Sequence, residues 1–160
     1  MGTSTWTGPL KAGNILNNTG GTTLGKDLAN VGWVAMTQVG AVTQAASAGQ
    51  AAGVYKTTIV IPANSQIISI KLFKTVVWNG VATTLNVGTS ATGTELAIAA
   101  ENDASTTLGL LNVVPGDNLT RTNAWLDVGT SDVQIWTKST NTGTGVGYIV
   151  VEYAQNRNLL

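Results

Sequence analysis

Residues 55–78 read YKTTIVIPANSQIISIKLFKTVVW, and their alternation decides the fold class. Tyr55, Thr57, Ile59 and Ile61 share one parity, with Lys56 and Thr58 on the other. After the Pro62-Ala63-Asn64-Ser65 break, Ile68, Ile70 and Leu72 share a parity, and Ser69 and Lys71 take the other. Period-2 alternation broken by Pro and Asn predicts two strands, each with a dry face and a wetter one. Pro62 has no N–H for a central ladder, so it belongs at a strand end, and residues 62–65 read as a structural corner. A dry face needs a second layer over it.

Outward from this stretch, strand signals recur about every ten residues. Val31 to Gln38 (VGWVAMTQ) is apolar on both parities and reads as a central strand, with Trp33 in the core. Residues 39–53 are small and Gly-punctuated and read as a loop that begins as frayed strand. Trp78 lies in an apolar run and reads as core. Asn79-Gly80 is a turn signal, and Val81, Thr83, Leu85 and Val87 alternate after it. Glu95 to Ala100 (ELAIAA) suits either a strand or one helical turn. Leu108 to Val114 is a strand closed by Pro115-Gly116-Asp117-Asn118.

Residues 122–138 read as the clearest hairpin. Thr122, Ala124, Leu126 and Val128 share a parity, as do Ser131, Val133, Ile135 and Thr137, with Gly129-Thr130 between them. That register pairs Leu126 with Val133 and puts Trp125 and Trp136 together on the outward face, within diagonal aromatic reach. Val146 to Tyr153 closes the fold with Ile149, Val151 and Tyr153 on one face. The hexads LNVGTS (85–90) and LDVGTS (126–131) echo one another and suggest two equivalent strand ends. These signals predict an all-β fold: an antiparallel β-sandwich of jelly-roll type, about eight strands and no helix. The domain organisation is an extended N-terminal arm (1–30), a sandwich (31–154) and a short C-terminal tail (155–160).

Composition narrows function by exclusion. Cysteine and histidine are both absent, which removes thiolate sites, the usual base for a Ser nucleophile and the commonest transition-metal ligand. Only 16 residues are charged, 8 of each sign, so no basic stripe exists for nucleic acid or for an anionic membrane surface. The 25 threonines suit β-structure packed against other protein. The first residues lack the pattern of a secretory signal, and no window is long and apolar enough to span a bilayer. The expectation is no nucleic-acid and no membrane partner.

The acidic residues are scattered, with no pair set across a cleft, so a non-enzymatic protein without cofactor is expected. Glu101-Asn102-Asp103 with Ser105, or Asp117-Asn118, offer oxygens to a calcium ion but match no loop motif, and read as solvated turns. Asp127 and Asp132 read as splayed at the hairpin end. Asn17-Asn18-Thr19 and Asn118-Leu119-Thr120 are glycosylation sequons in form only. Residues 1–30 are Gly-rich with spaced large apolar residues. They read as an arm that orders against a partner, with Trp6, Pro9, Leu10, Ile15 and Leu16 as its binding residues. Trp125 and Trp136 have three readings: cover by the chain itself, a glycan platform, or a protein interface, where Trp is enriched.

The run IVIPANSQIISIKLFKTVVWNGVATTLNVGTSATGTELA (59–97) resembles a pattern of β-sandwich structural proteins in tailed phages: a strand ending in Pro-small-polar, a second strand, an aromatic-Asn-Gly turn and a strand ending in Val-Gly-Thr. The opening TWTGPLKAGN with NVGWVAMTQ, and the closing GVGYIVVEYAQN, are similar to small virion proteins of the head decoration or cement class. The resemblance implies a jelly-roll protomer, commonly a homotrimer, on the outside of the capsid. Its partners would be the major capsid protein and itself, with assembly in the host cytoplasm. The same motifs are equally compatible with a head fibre or tail component, and the Trp125 and Trp136 face leaves a carbohydrate-binding module as the alternative.

Overall fold

Across residues 34–104 and 107–155, which the computed structural model describes, alternating apolar residues build seven strands, and the chain sends them by turns into two antiparallel sheets. The strands are β1 (Val34–Thr43), β2 (Val54–Ile61), β3 (Ser65–Val76), β4 (Leu85–Gly88), β5 (Gly109–Val113), β6 (Val133–Ser139) and β7 (Val146–Gln155). One sheet has the order β1-β7-β3-β5 and the other β2-β6-β4, so odd strands lie in the first and even strands in the second. One α-helix, α1 (Leu119–Leu126), precedes β6, and a 3-10 turn covers Ala99–Glu101. The fold is an all-β sandwich. No helix among the described residues is long and apolar enough to cross a membrane.

The core lies between the inner faces. Val42, Ile70, Leu72, Ile149, Val151 and Tyr153 come from the four-stranded sheet. Ile59, Ile61, Ile135, Leu85 and Val87 come from the three-stranded one. Trp78 and Leu96 fill the space from the connections. Each such aliphatic side chain contributes about 1.5–3 kcal/mol on burial. The predicted parities of β2 and β7 hold: Thr57, Ile59, Ile61, Ile149, Val151 and Tyr153 all point inward.

The stretch at 55–78 folds differently from a simple strand pair. β2 and β3 belong to different sheets, and Pro62–Asn64 is the corner between them. Asn64 sits at φ 57°, a left-handed position that Asn tolerates better than most residues. Its N–H donates to the Gly129 carbonyl (2.7 Å), Val128 N–H donates to Ser65 O (3.0 Å), and Ala63 N–H donates to Asp132 Oδ1 (3.0 Å). Within β3 a bulge separates Ile67 from Ser69 in the register with β7. The bulge turns Ile68 outward and puts Ile67 in the core, the reverse of the predicted parity.

The predicted hairpin at 122–138 is not formed. Residues 119–126 are the helix α1, and the described residues hold seven strands. Asn118 caps the helix, its side-chain oxygen accepting from Thr120 N–H (2.9 Å) and Arg121 N–H (3.2 Å). Arg121 ties the helix to the preceding connection through Glu101 (3.0 Å) and the Pro115 carbonyl (2.5 Å). β6 pairs with β2 and β4 instead of with 122–128. The two echoing hexads are therefore not equivalent, since Leu85–Gly88 is strand and Leu126 closes a helix. Asp127 and Asp132 are not opposed either. Asp127 accepts from Gly129 N–H (2.8 Å) and Asp132 from the corner. β1 runs on to Thr43, beyond the predicted end, and of the predicted 81–87 strand only 85–87 are regular, in a strand that ends at Gly88.

Candidate interaction surface

Side-chain amides stitch the sandwich together. Gln38 on β1 donates through Nε2 to Val60 O on β2 (2.6 Å) and accepts from Val60 N–H (3.2 Å). Buried Gln44 treats Asn79 the same way, donating to its carbonyl (2.5 Å) and accepting from its N–H (3.0 Å), and also accepts from Gly145 N–H (3.2 Å). Buried Asn102 accepts from Val114 N–H (2.8 Å) and donates to Val114 O (3.0 Å) and Ile98 O (2.9 Å). Gln134 donates to Thr57 O and Ile59 O, both at 2.8 Å, where the β2–β6 register slips. Neutral amides thus satisfy peptide groups that the ladders leave over, in a chain with few charges.

The two tryptophans singled out as an outward pair are apart. Trp125 lies on α1, half-buried and packed against the core, and its indole N–H donates to Leu96 O (2.8 Å). Trp136 lies on β6, on the outer face of the three-stranded sheet, with Lys56 Nζ 5.4 Å from its ring centroid. They share no strand face, because α1 replaces the strand that was to carry Trp125. Trp78 is fully buried and donates to Ser139 Oγ (2.9 Å), as a core residue. Trp33, Ser105 and the arm residues Trp6, Pro9, Leu10, Ile15 and Leu16 lie outside the described residues, as does the tail beyond 155.

The acidic segments are occupied by the fold. Glu101 pairs with Arg121, Asn102 holds Val114, Asp103 bonds Thr83 Oγ1 and Asn118 caps α1. Among the described residues no group of three His, Cys, Asp or Glu is placed to hold a metal ion. Lys74 is buried on β3, and its ammonium donates to Ala104 O. Burial pushes its pKa down from the usual lysine range, while the nearby Asp103 carboxylate acts in the opposite direction.

The surface that stands out is the outer face of the four-stranded sheet. Ala41, Tyr148, Phe73 and Leu110 are successive register partners across β1, β7, β3 and β5. All four point to solvent, with Tyr148 49%, Phe73 43% and Leu110 49% exposed. Val39 (59% exposed) and Val150 lie in the next row with Lys71 and Asn112. Val146 and Val76, paired and exposed, lie on the other side. Lys71 and Glu152 are the charged residues on the described part of this face. Glu152 accepts from Ser69 Oγ (3.2 Å), and neither is in an ion pair among the described residues. An apolar row that spans every strand of a sheet marks an interaction surface better than scattered exposed residues do.

Sequence reasoning missed this face, although a signal was present. Phe73, Tyr148 and Val150 all sit on the parity that should be wet. One apolar residue there is ordinary, but such residues on neighbouring strands are not.

No protein-family model matches the chain, and no curated protein matches it at a significant level. Among solved structures, it is similar to a chain of the cyanophage Pam1 capsid asymmetric unit, with 17% identity over 78% of this chain and 86% of that one, at a TM-score of 0.46. It is also similar to a chain of the acidic stable capsid structure of Helicobacter pylori bacteriophage KHP30, with 16% identity over 79% and 91%, at a TM-score of 0.43. With TM-scores below 0.5, neither likeness decides fold or function.

Proposed function

We propose that this chain is a non-enzymatic decoration or cement protein of a phage head, binding the outer surface of the capsid and stabilising the shell. The observation that carries this reading is the broad, nearly uncharged apolar face of the four-stranded sheet, set on a sandwich whose polar side chains are spent on its own backbone. Such a surface serves lasting contact with protein, not turnover of a small substrate. The motifs of 59–97 that carry the family resemblance support the same role, since they build β2, β3 and β4 around the corner at Pro62. The alternation of odd and even strands, with the Val87–Ala97 bridge in the place of an eighth strand, supports the jelly-roll reading.

The partners in this reading are the major capsid protein and further copies of the chain, in the virion, after assembly in the host cytoplasm. Nucleic acid and membrane have no part in it. Many copies, each weakly held, would stabilise a shell through effective concentration. The arm residues Trp6, Pro9, Leu10, Ile15 and Leu16 are the proposed capsid anchors. Co-sedimentation with decoration-free heads tests this. The full chain should pellet with heads and a variant lacking residues 2–28 should stay in solution, still folded. Equal binding by both removes the arm from the account, and binding by neither removes the capsid role.

A carbohydrate-binding or fibre and tail adaptor role is the second reading. Trp136, on an outer sheet face beneath Lys56, is the feature that favours it. It predicts quenching of Trp136 fluorescence by a glycan, lost in Trp136→Phe.

A further inference from the structure

We infer that the outer face of the four-stranded sheet is a self-association surface, on which a second copy of this chain packs about a two-fold axis running along the strands between β7 and β3. The inference uses the face that also supports the capsid reading and gives it to a second copy, which leaves capsid contact in that reading to the proposed arm residues. It rests on the order of residues across the face. An axis in that place exchanges β7 with β3 and β1 with β5. Tyr148 then meets the partner's Phe73, and Phe73 the partner's Tyr148, as two aromatic pairs. Ala41 meets the partner's Leu110, small against large, and Val146 meets the partner's Val76.

The charges fit the same operation. Lys71 is the register partner of Val150, and Glu152 is next along that face of β7. Under the two-fold, Lys71 lies over the partner's Val150 and beside the partner's Glu152, and the symmetry makes this contact twice. The hydroxyl of Ser69 already holds Glu152 in position. An axis laid along the apolar row instead would stack that row on itself. It would set Lys71 over the partner's Thr75 and Val76 and leave its charge unmatched. The face thus carries one cation and one anion in a self-complementary arrangement, as an isologous contact requires.

The size is adequate. Three long strands of roughly 30 Å and the five-residue β5, about 4.8 Å apart, give a face on the order of 500 Å². Two such faces bury on the order of 1,000 Å², about the least that a specific protein interface needs. A two-fold contact also differs from the three-fold association implied by the family resemblance.

Analytical ultracentrifugation of the full chain, between about 1 and 100 µM, tests the inference. The expected mass is twice the 16.4 kDa of one chain, falling to one chain in the Phe73→Lys, Tyr148→Lys double variant with an unchanged circular dichroism spectrum. Lys71→Glu should weaken the dimer roughly threefold to tenfold, and adding Glu152→Lys should restore it. Because Lys71 and Glu152 are also diagonal neighbours on β3 and β7 of one chain, the rescue is scored as mass at an unchanged circular dichroism spectrum and melting temperature. A monomer throughout, a trimer, a dimer indifferent to the double lysine variant, or a charge swap that does not restore association overturns the inference. Head co-sedimentation is scored separately, so a monomer that still binds heads sinks this contact alone, and a dimer that ignores heads sinks only the capsid role.

Discussion

The Gln38 side chain takes both hydrogen bonds of the Val60 peptide group, donating to its carbonyl and accepting from its N–H. Gln38 lies on β1 and Val60 on β2, the edge strands of the two sheets, so one side chain serves as a ladder rung where the sandwich would otherwise be open. Its Nε2 also donates to the Tyr153 hydroxyl (2.9 Å), which links the rung to the core. Gln38→Ala should destabilise the fold by about 1 kcal/mol, because the freed Val60 groups can reach water. A urea titration measures this.

Gln44 does the same in a fully buried place, and the cost of losing it is larger. Gln44→Leu should cost roughly 2–4 kcal/mol, since the Asn79 and Gly145 groups it holds become unsatisfied. Gln44→Glu separates hydrogen bonding from shape. A carboxylate cannot donate to Asn79 O, whereas the protonated acid can. Burial raises the folded-state pKa of such a glutamate, so this variant should be relatively more stable at low pH and lose stability as pH rises above the ordinary glutamate value. Thermal melts from pH 4 to 8 against the wild type show this trend or its absence.

Lys74 gives an alkaline signature. Its folded pKa is lowered by burial, so the native state releases the proton before the unfolded state does. In that window the unfolded chain binds more protons, and stability rises with pH towards the ordinary lysine value. Below the window the lysine is charged in both states and the slope vanishes. Denaturation at pH 7.5 and pH 10 should show the gain in the wild type and not in Lys74→Met.

Trp125 and Trp136 should separate cleanly. Trp125→Ala removes a ring packed on the core and a hydrogen bond to Leu96 O, and should cost about 2–4 kcal/mol. Trp136→Ala, on an outer face, should cost no more than about 1 kcal/mol. Equal losses would contradict the assignment of Trp125 to intrachain cover.

Gly145 lies against the Trp78 ring, where a Cβ would stand 2.6 Å from a ring carbon. Gly145→Ala should cost about 1–3 kcal/mol through overpacking, read as a lowered denaturation midpoint.

The strand signals were legible where one side of a strand is buried and the other is wet, as in β2 and β7. They failed in three physical situations. Thr122, Ala124 and Leu126 alternate by chance, and the Asn118 cap behind a Pro-Gly turn fixes a helix there. Ile68 reads as inward because period 2 assumes a regular ladder, and the β3 bulge breaks it. Phe73 and Tyr148 sit on supposedly wet parities, and only the cross-strand register shows that they adjoin. The corner at Pro62 was legible as a corner, but not as the point where the chain changes sheets, because sheet membership is set by contacts distant in sequence.

The capsid reading makes one claim above the others: that this chain sits on the outside of a phage head. Cryo-electron microscopy of the particle whose genome encodes it tests that claim most directly. The account predicts density for the two-sheet sandwich on the outer surface of the shell, in contact with capsid subunits. Density for the sandwich only in a tail or fibre, or none on the particle, would contradict it.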